Sequence, residues 1–125
     1  VGGYAVALHG YVRYTQDMDI WVYTNPENVA KVVQTLKDFG FPHADELLEV
    51  LQKEKRAVSM GVPPMQIEVV TSIDGVSFEE CFENKLVVEV DGIPINYLSL
   101  EDLRENKKAS GRFKDLNDLE HLPEG

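Results

Sequence analysis

A chain of 125 residues is long enough for one hydrophobic core and short for two, so a single domain over 1–125 is expected. Its 43% hydrophobic and 27% charged residues are those of a globular protein, and no apolar run approaches a membrane span or has the order of a secretory signal. The formal charge of −10 argues against an extended nucleic-acid surface, and the lone Cys81 excludes an intrachain disulfide or a cysteine zinc cluster, so a reducing, cytoplasmic setting is expected.

Gly2-Gly3 followed by Tyr4 to His9 reads as a tight turn opening a short apolar helix. Met18 to Tyr23, rich in β-branched and aromatic residues, reads as a strand. Thr24 or Asn25 caps the next helix, with Pro26 at its first position. Val29, Val32, Val33, Leu36 and Phe39 keep helical spacing up to a stop at Gly40. Ala44 to about Lys53 reads as a second amphipathic helix, on Leu47, Leu48 and Leu51. Ala57–Met60 is a short strand closed by Gly61-Val62-Pro63-Pro64, and Gln66–Thr71 is a clear strand.

Phe78–Asn84 gives one or two helical turns. Leu86–Val90 and Ile93–Leu98 form a hairpin turned by Asp91-Gly92, with Pro94 at an unpaired edge position. Ser99-Leu100-Glu101-Asp102 has the order of a helix start, and the helix runs through Lys108 to a break at Gly111. A last amphipathic turn covers Asp115 to Leu122. The fold class is α+β, a mixed sheet with helices packed on it. A glycine turn leading into helix and strand ordinarily follows a strand, so an N-terminal strand ahead of Val1 is expected to be missing from this sequence.

Asp17 and Asp19 are two apart at the start of a strand, and period two puts both on one face. Like charges that close repel unless a cation lies between them, and hard oxygen ligands with no His or Cys nearby suit Mg²⁺ or Mn²⁺. Taken alone, Asp-x-Asp describes a solvated strand start better than a metal site. Glu68 is the one charged residue in a strand otherwise fit for a core, and a buried carboxylate needs a partner. Beside Met18–Tyr23 it completes a cluster of three carboxylates; otherwise it faces solvent or pairs with Arg13. Gly2-Gly3 at a helix start offers backbone N–H groups to a phosphate. Five of the twelve basic residues (Arg104, Lys107, Lys108, Arg112 and Lys114) fall within eleven positions, which suits a small polyanionic ligand. Lys107 and Lys108 are the candidates for phosphate contact, whereas Arg112 or Lys114 is expected to pair with Asp115 and Asp118. His9, His43, Trp21, Tyr23 and Tyr97 read as structural.

Val1-Gly2-Gly3-Tyr4-Ala5-Val6, His9-Gly10, Arg13, Thr15 and Asp17-Met18-Asp19-Ile20 together resemble the signature of the DNA polymerase β-like nucleotidyltransferase superfamily. More narrowly, the chain resembles small stand-alone bacterial and archaeal members of toxin–antitoxin and abortive-infection type. Gly61 to Ser72 is similar to their third-acid strand, and Lys107 to Asp118 to their C-terminal helix and turn. The blocks span nearly the whole chain in the family's order. The resemblance implies that Gly2 and Gly3 contact nucleotide phosphates; beside it, Arg13 is placed to approach the phosphate or to hold Asp17 and Asp19 in position. It implies that Asp17, Asp19 and Glu68 bind Mg²⁺ or Mn²⁺ and carry the catalysis. The pattern departs from the family at Glu68, where Asp is usual, and at Tyr4, where many members have Ser.

Two functions of different class follow. One is a metal-dependent enzyme moving NMP from an NTP to a hydroxyl of a protein, an RNA or a small molecule. The other is a catalytically degenerate nucleotide-binding or antitoxin-type interaction module. The partners implied are a nucleoside triphosphate, an acceptor and a cognate toxin or antitoxin protein, with neither a membrane nor a long nucleic acid. A purely structural cation site is a third reading of the acidic residues.

Overall fold

Among the described residues, α-helices and strands follow one another in the computed structural model in the order α1 (Gly2–Leu8), β1 (Asp17–Trp21), α2 (Pro26–Asp38), α3 (Leu47–Val50), β2 (Ala57–Met60), β3 (Gln66–Val70), α4 (Phe78–Glu83), β4 (Leu86–Val90), β5 (Ile93–Tyr97), α5 (Leu100–Ser110) and α6 (Phe113–His121). The structure describes residues 1–11, 17–62 and 66–124, with Asp17 described by its backbone. The fold is α+β, and its three-stranded sheet is mixed: β1 runs parallel to β3, and β2 antiparallel to it. The chain divides into two compact units, Gln16–Ser72 and Val1–Thr15 with Ile73–Gly125. No helix among the described residues is long and apolar enough to cross a membrane.

In the first of these units local chemistry sets the helix and the core sets the sheet face. The Asn25 side chain accepts from the Glu27 N–H at 2.9 Å, and Pro26 occupies the first turn, where no amide donor is needed. Val29, Val33 and Leu36 are then buried on one stripe of α2, against Val22, Val69, Ala44 and Leu51, with Val58, Met60 and Ile67 packed around them. Each fully buried aliphatic side chain here contributes roughly 1.5–3 kcal/mol. Met18 and Ile20 share that sheet face but lie on the outer strand and stay 41% and 39% exposed.

The segment after Gly40 departs from the expected helix over Ala44–Lys53. It is a 3₁₀ turn, Ala44–Glu46, followed by the single turn of α3. Ala44 and Leu51 anchor it in the core, but residues 52–56 are all polar and exposed, so nothing holds a further turn. The amides of Gln52 and Lys53 bond three residues back instead of four.

The second unit is built around α5. Ser99 Oγ accepts from the Asp102 N–H at 3.2 Å, and Gly111, at φ +65°, closes the helix in the left-handed conformation. Leu103 is fully buried with Ala5 and Val6 of α1, and Cys81, Leu98 and Leu122 are nearly so. His9 Nε2 bonds the Leu98 carbonyl at 2.8 Å, Tyr11 stacks on His121 at 4.2 Å, and Asn117 donates to the Tyr11 hydroxyl, which ties the end of α1 to β5 and α6. Arg104 donates to the carbonyls of Leu119, Leu122 and Pro123 and so caps α6 from outside. The helix α6 starts at Phe113, two residues earlier than its apolar pattern indicated.

The β4–β5 hairpin turns on Asp91 and Gly92, both at positive φ, as a two-residue loop requires. Val90 and Ile93 close the turn, so the next pair, Glu89 and Pro94, falls at a non-hydrogen-bonded site of the ladder. Proline costs no ladder bond there.

The loop before α4 presses on α5. Gly75 sits at φ +83°, and a Cβ added there would lie 2.5 Å from the Ala109 methyl, while Asn106 holds the Asp74 carbonyl at 3.0 Å. Gly75→Ala is expected to destabilise the protein by about 1–3 kcal/mol, read as a lower urea midpoint, because backbone strain adds to the clash. Burial first, and the Asp102 carboxylate second, push the Cys81 thiol up to about 12. Native protein at pH 8 is therefore expected not to react with an aromatic disulfide reagent, and denatured protein to react with one equivalent per chain.

Candidate active site

Strand pairing decides where the acidic residues stand. In the parallel register of β1 and β3, Asp17 is opposite Gln66, Asp19 is opposite Glu68, and Trp21 is opposite Val70. Paired positions share a sheet face, and positions two apart along a strand share it too. The positions of Asp17, Asp19 and Glu68 therefore lie on one face, opposite the face that α2 covers through Ile67 and Val69. Adjacent strands are about 4.8 Å apart, and a step of two residues is about 6.6 Å. The side chains of Asp19 and Glu68 are both partly buried. Among the described side chains no three His, Cys, Asp or Glu groups close to metal-binding distance, and Asp17 contributes only its backbone to that description.

Two further polar residues, neither marked out by local sequence pattern alone, share this face. Ser59 of β2 is opposite Glu68 on the other side of β3, and Gln66 is opposite Asp17. The alternation Ala57-Val58-Ser59-Met60 carries the signal, but a four-residue strand leaves the pairing partner open. Trp21 borders the face, its indole N–H donating to the Thr71 carbonyl at 3.2 Å.

The other residues assigned to ligand contact belong to different surroundings. Gly2 and Gly3 open α1 in the second unit, Gly2 at φ +65° and Gly3 buried. Arg13 lies outside the described residues. Lys108 is exposed and stands 3.8 Å from Glu105. Lys107, a candidate for phosphate contact by its sequence context, lies instead inside the protein. Its Nζ lies 3.0 Å from Asp115 Oδ1 and 3.3 Å from Asp118 Oδ2, and all three residues are buried.

That cluster is completed by Ser110 Oγ and Arg112 Nε, which donate to Asp115 Oδ2 at 2.7 and 2.8 Å. Arg112 thus pairs with Asp115 as its spacing indicated. Lys107 takes the larger share because one turn of α5 separates it from the Gly111 bend, which returns α6 alongside. Burying charge is costly unless each group is paired and hydrogen-bonded, and here the donors match the acceptors.

Comparison with protein families gives a match over nearly the whole chain. The model of the family described as nucleotidyltransferase of unknown function (DUF6036) matches residues 1–122. The chain belongs to this nucleotidyltransferase family. No curated protein and no solved structure matches it significantly. The matched span takes in the glycine turn, both acidic strands and the α5–α6 corner, and so reaches into both compact units.

Asp115 gives the corner a pH signature. Burial alone would raise its carboxyl, but the hydrogen bonds from Ser110, Arg112 and Lys107, with the charge of Lys107, hold it down at about 2. A carboxyl lowered on folding stabilises the native state above its ordinary value near 3.8 and ceases to do so as pH falls toward 2. Stability is expected to drop by roughly 2 kcal/mol across that interval on this account alone. Urea titrations from pH 5 to pH 2 should show this slope, and Asp115→Asn should flatten it. Lys107→Met, which takes the ammonium away from two buried carboxylates, is expected to cost about 3–5 kcal/mol at pH 7.

Proposed function

We propose that the chain is a metal-dependent nucleotidyltransferase that moves a nucleoside monophosphate from an NTP to an acceptor hydroxyl. The observation that carries the reading is the register of Asp19 with Glu68 on the sheet face away from the core. Family membership supports the reaction class. The finer assignment, a stand-alone member of the polymerase β-like superfamily with a cognate toxin or antitoxin partner in the cytoplasm, rests on the sequence blocks described above.

The donor set fits Mg²⁺ or Mn²⁺, since it offers carboxylate oxygens from neighbouring strands and no His or Cys. When bound, divalent metal would supply neutralisation of charge on the attacking and leaving oxygens at the α-phosphate. Asp17 and Asp19 would hold the metal. Glu68, longer by a methylene than the usual Asp, would reach across from β3 and accept the proton of the attacking hydroxyl. That hydroxyl oxygen bonds to the α-phosphorus as the bond to the β-phosphate oxygen breaks, and pyrophosphate leaves. Backbone N–H groups at Gly2-Gly3 would receive phosphate oxygens, aided by Arg13 and the exposed Lys108. Lys107, through Asp115 and Asp118, is assigned to holding α6 against α5 and thereby to positioning.

The test is transfer of label from each α-³²P-NTP, with Mg²⁺ or Mn²⁺, to macromolecules and small molecules of a cell lysate. Glu68→Gln and Asp19→Asn are each expected to reduce transfer by about 10²-fold or more with unchanged thermal midpoints. Transfer that persists in both variants would overturn the mechanism. Metal-dependent NTP binding without any transfer would assign the chain to the degenerate binding class.

A further inference from the structure

The register of the β4–β5 hairpin sorts its side chains into two unlike faces. Leu86, Val88, Val90, Ile93, Ile95 and Tyr97 occupy one, and Val87, Glu89, Pro94 and Asn96 the other. The first face is wholly apolar apart from one phenol, yet Leu86, Val90, Ile93 and Ile95 are 44%, 43%, 63% and 38% exposed. Among the described residues no other helix or strand packs extensively on either strand. A two-stranded hairpin is marginal alone, and a contiguous exposed apolar patch marks an interaction surface.

Charge states what kind of partner this face admits. Along the segment from α4 to the hairpin tip stand Glu79, Glu80, Glu83, Glu89 and Asp91 against Lys85 alone, in a chain whose formal charge is already −10. The Lys85 ammonium is itself turned onto the Phe82 ring, 4.0 Å from its centre, and bonds the Phe82 carbonyl. Those exposed acids and the net charge of the chain repel a second copy and an anionic lipid surface alike, and they attract a cationic partner. We propose that the Leu86–Tyr97 hairpin is the docking face for a basic, amphipathic segment of a partner protein. Its apolar residues cover the Leu86, Val90 and Ile93 face while its lysines or arginines meet the exposed carboxylates of that segment, Asp91 at the turn among them. This surface is independent of nucleotidyl transfer.

The experiment uses the full chain and two fluorescein-labelled 18-residue probes, one of leucine and lysine at helical period and one of leucine and glutamate. Fluorescence anisotropy should show saturable binding of the lysine probe and none of the glutamate probe. Val90→Ser/Ile93→Ser is expected to weaken that binding at least tenfold, and Glu83→Gln/Asp91→Asn to weaken it and reduce its salt dependence. Glu46→Gln/Glu49→Gln, in the other unit, should leave it unchanged. Hydrogen exchange should slow in residues 86–97 when the probe is present.

Both hairpin positions replaced are exposed, so the melting midpoint should not fall. A large fall would show that the face is packed within the folded chain and overturn the proposal. Probe binding that ignores Val90→Ser/Ile93→Ser would overturn it as well. So would a dimer, seen by sedimentation, that the same substitutions abolish, since the face would then belong to a second copy.

Discussion

Parallel strands cannot be joined by a tight turn, and β1 reaches β3 only after α2, α3 and β2 have been laid down. That one pairing organises the whole Gln16–Ser72 unit. It places β3 in the middle of the sheet, where Val69 can be buried under α2, and it brings Glu68 into line with Asp19. Core and candidate chemistry are therefore opposite sides of a single strand. The apolar positions of β3 select the face that α2 covers, and the intervening residues are delivered to the other face without any separate device.

The second unit solves a different problem, that of joining two helices at a sharp bend. Gly111 permits the backbone reversal, but it does not dictate the angle. The buried lysine and its two aspartates do, since each distance in the cluster is set by a helical position on both sides of the bend. Arg104 works on the same joint from the far end by occupying the last carbonyls of α6. Charge that composition suggests for a ligand is in large part consumed by this joint. Lys108 and Lys114 are the cations of that stretch whose residues remain exposed without a place in the cluster.

Features written in short-range chemistry were legible. Asn25-Pro26, Asp91-Gly92, the Ser99 cap and Gly111 each fix a boundary through contacts within about four residues, and each stands where the sequence put it. The regions that differ are governed by distant partners. The turn expected to run to Lys53 stops early because only Ala44 and Leu51 find a core, and α6 begins early because the charge cluster at Asp115 holds its first turn. Lys107 could not be told from Lys108 by composition, because only the return of α6 distinguishes the inward from the outward lysine. For the candidate site, the face shared by Asp17 and Asp19 follows from period two, whereas the neighbourhood of Glu68, Ser59 and Gln66 is a matter of pairing. Pairing between strands so far apart leaves no local trace. The exposed hairpin face was likewise invisible, since alternating apolar residues describe a covered face and an uncovered one equally well.

The charge cluster between α5 and α6 has a further consequence for how the protein meets its solvent. Mobile ions screen surface pairs such as Lys37 with Asp45, which lie 2.9 Å apart but are 42% and 64% exposed. They cannot enter a cluster whose lysine and aspartates are 5% exposed or less. An acidic chain crowded with like charge gains from added salt through relief of its long-range repulsion, and here it gives up little in return. The lysine–aspartate pairs that fix the C-terminal helices are in effect desiccated electrostatics, insulated from the ionic strength outside.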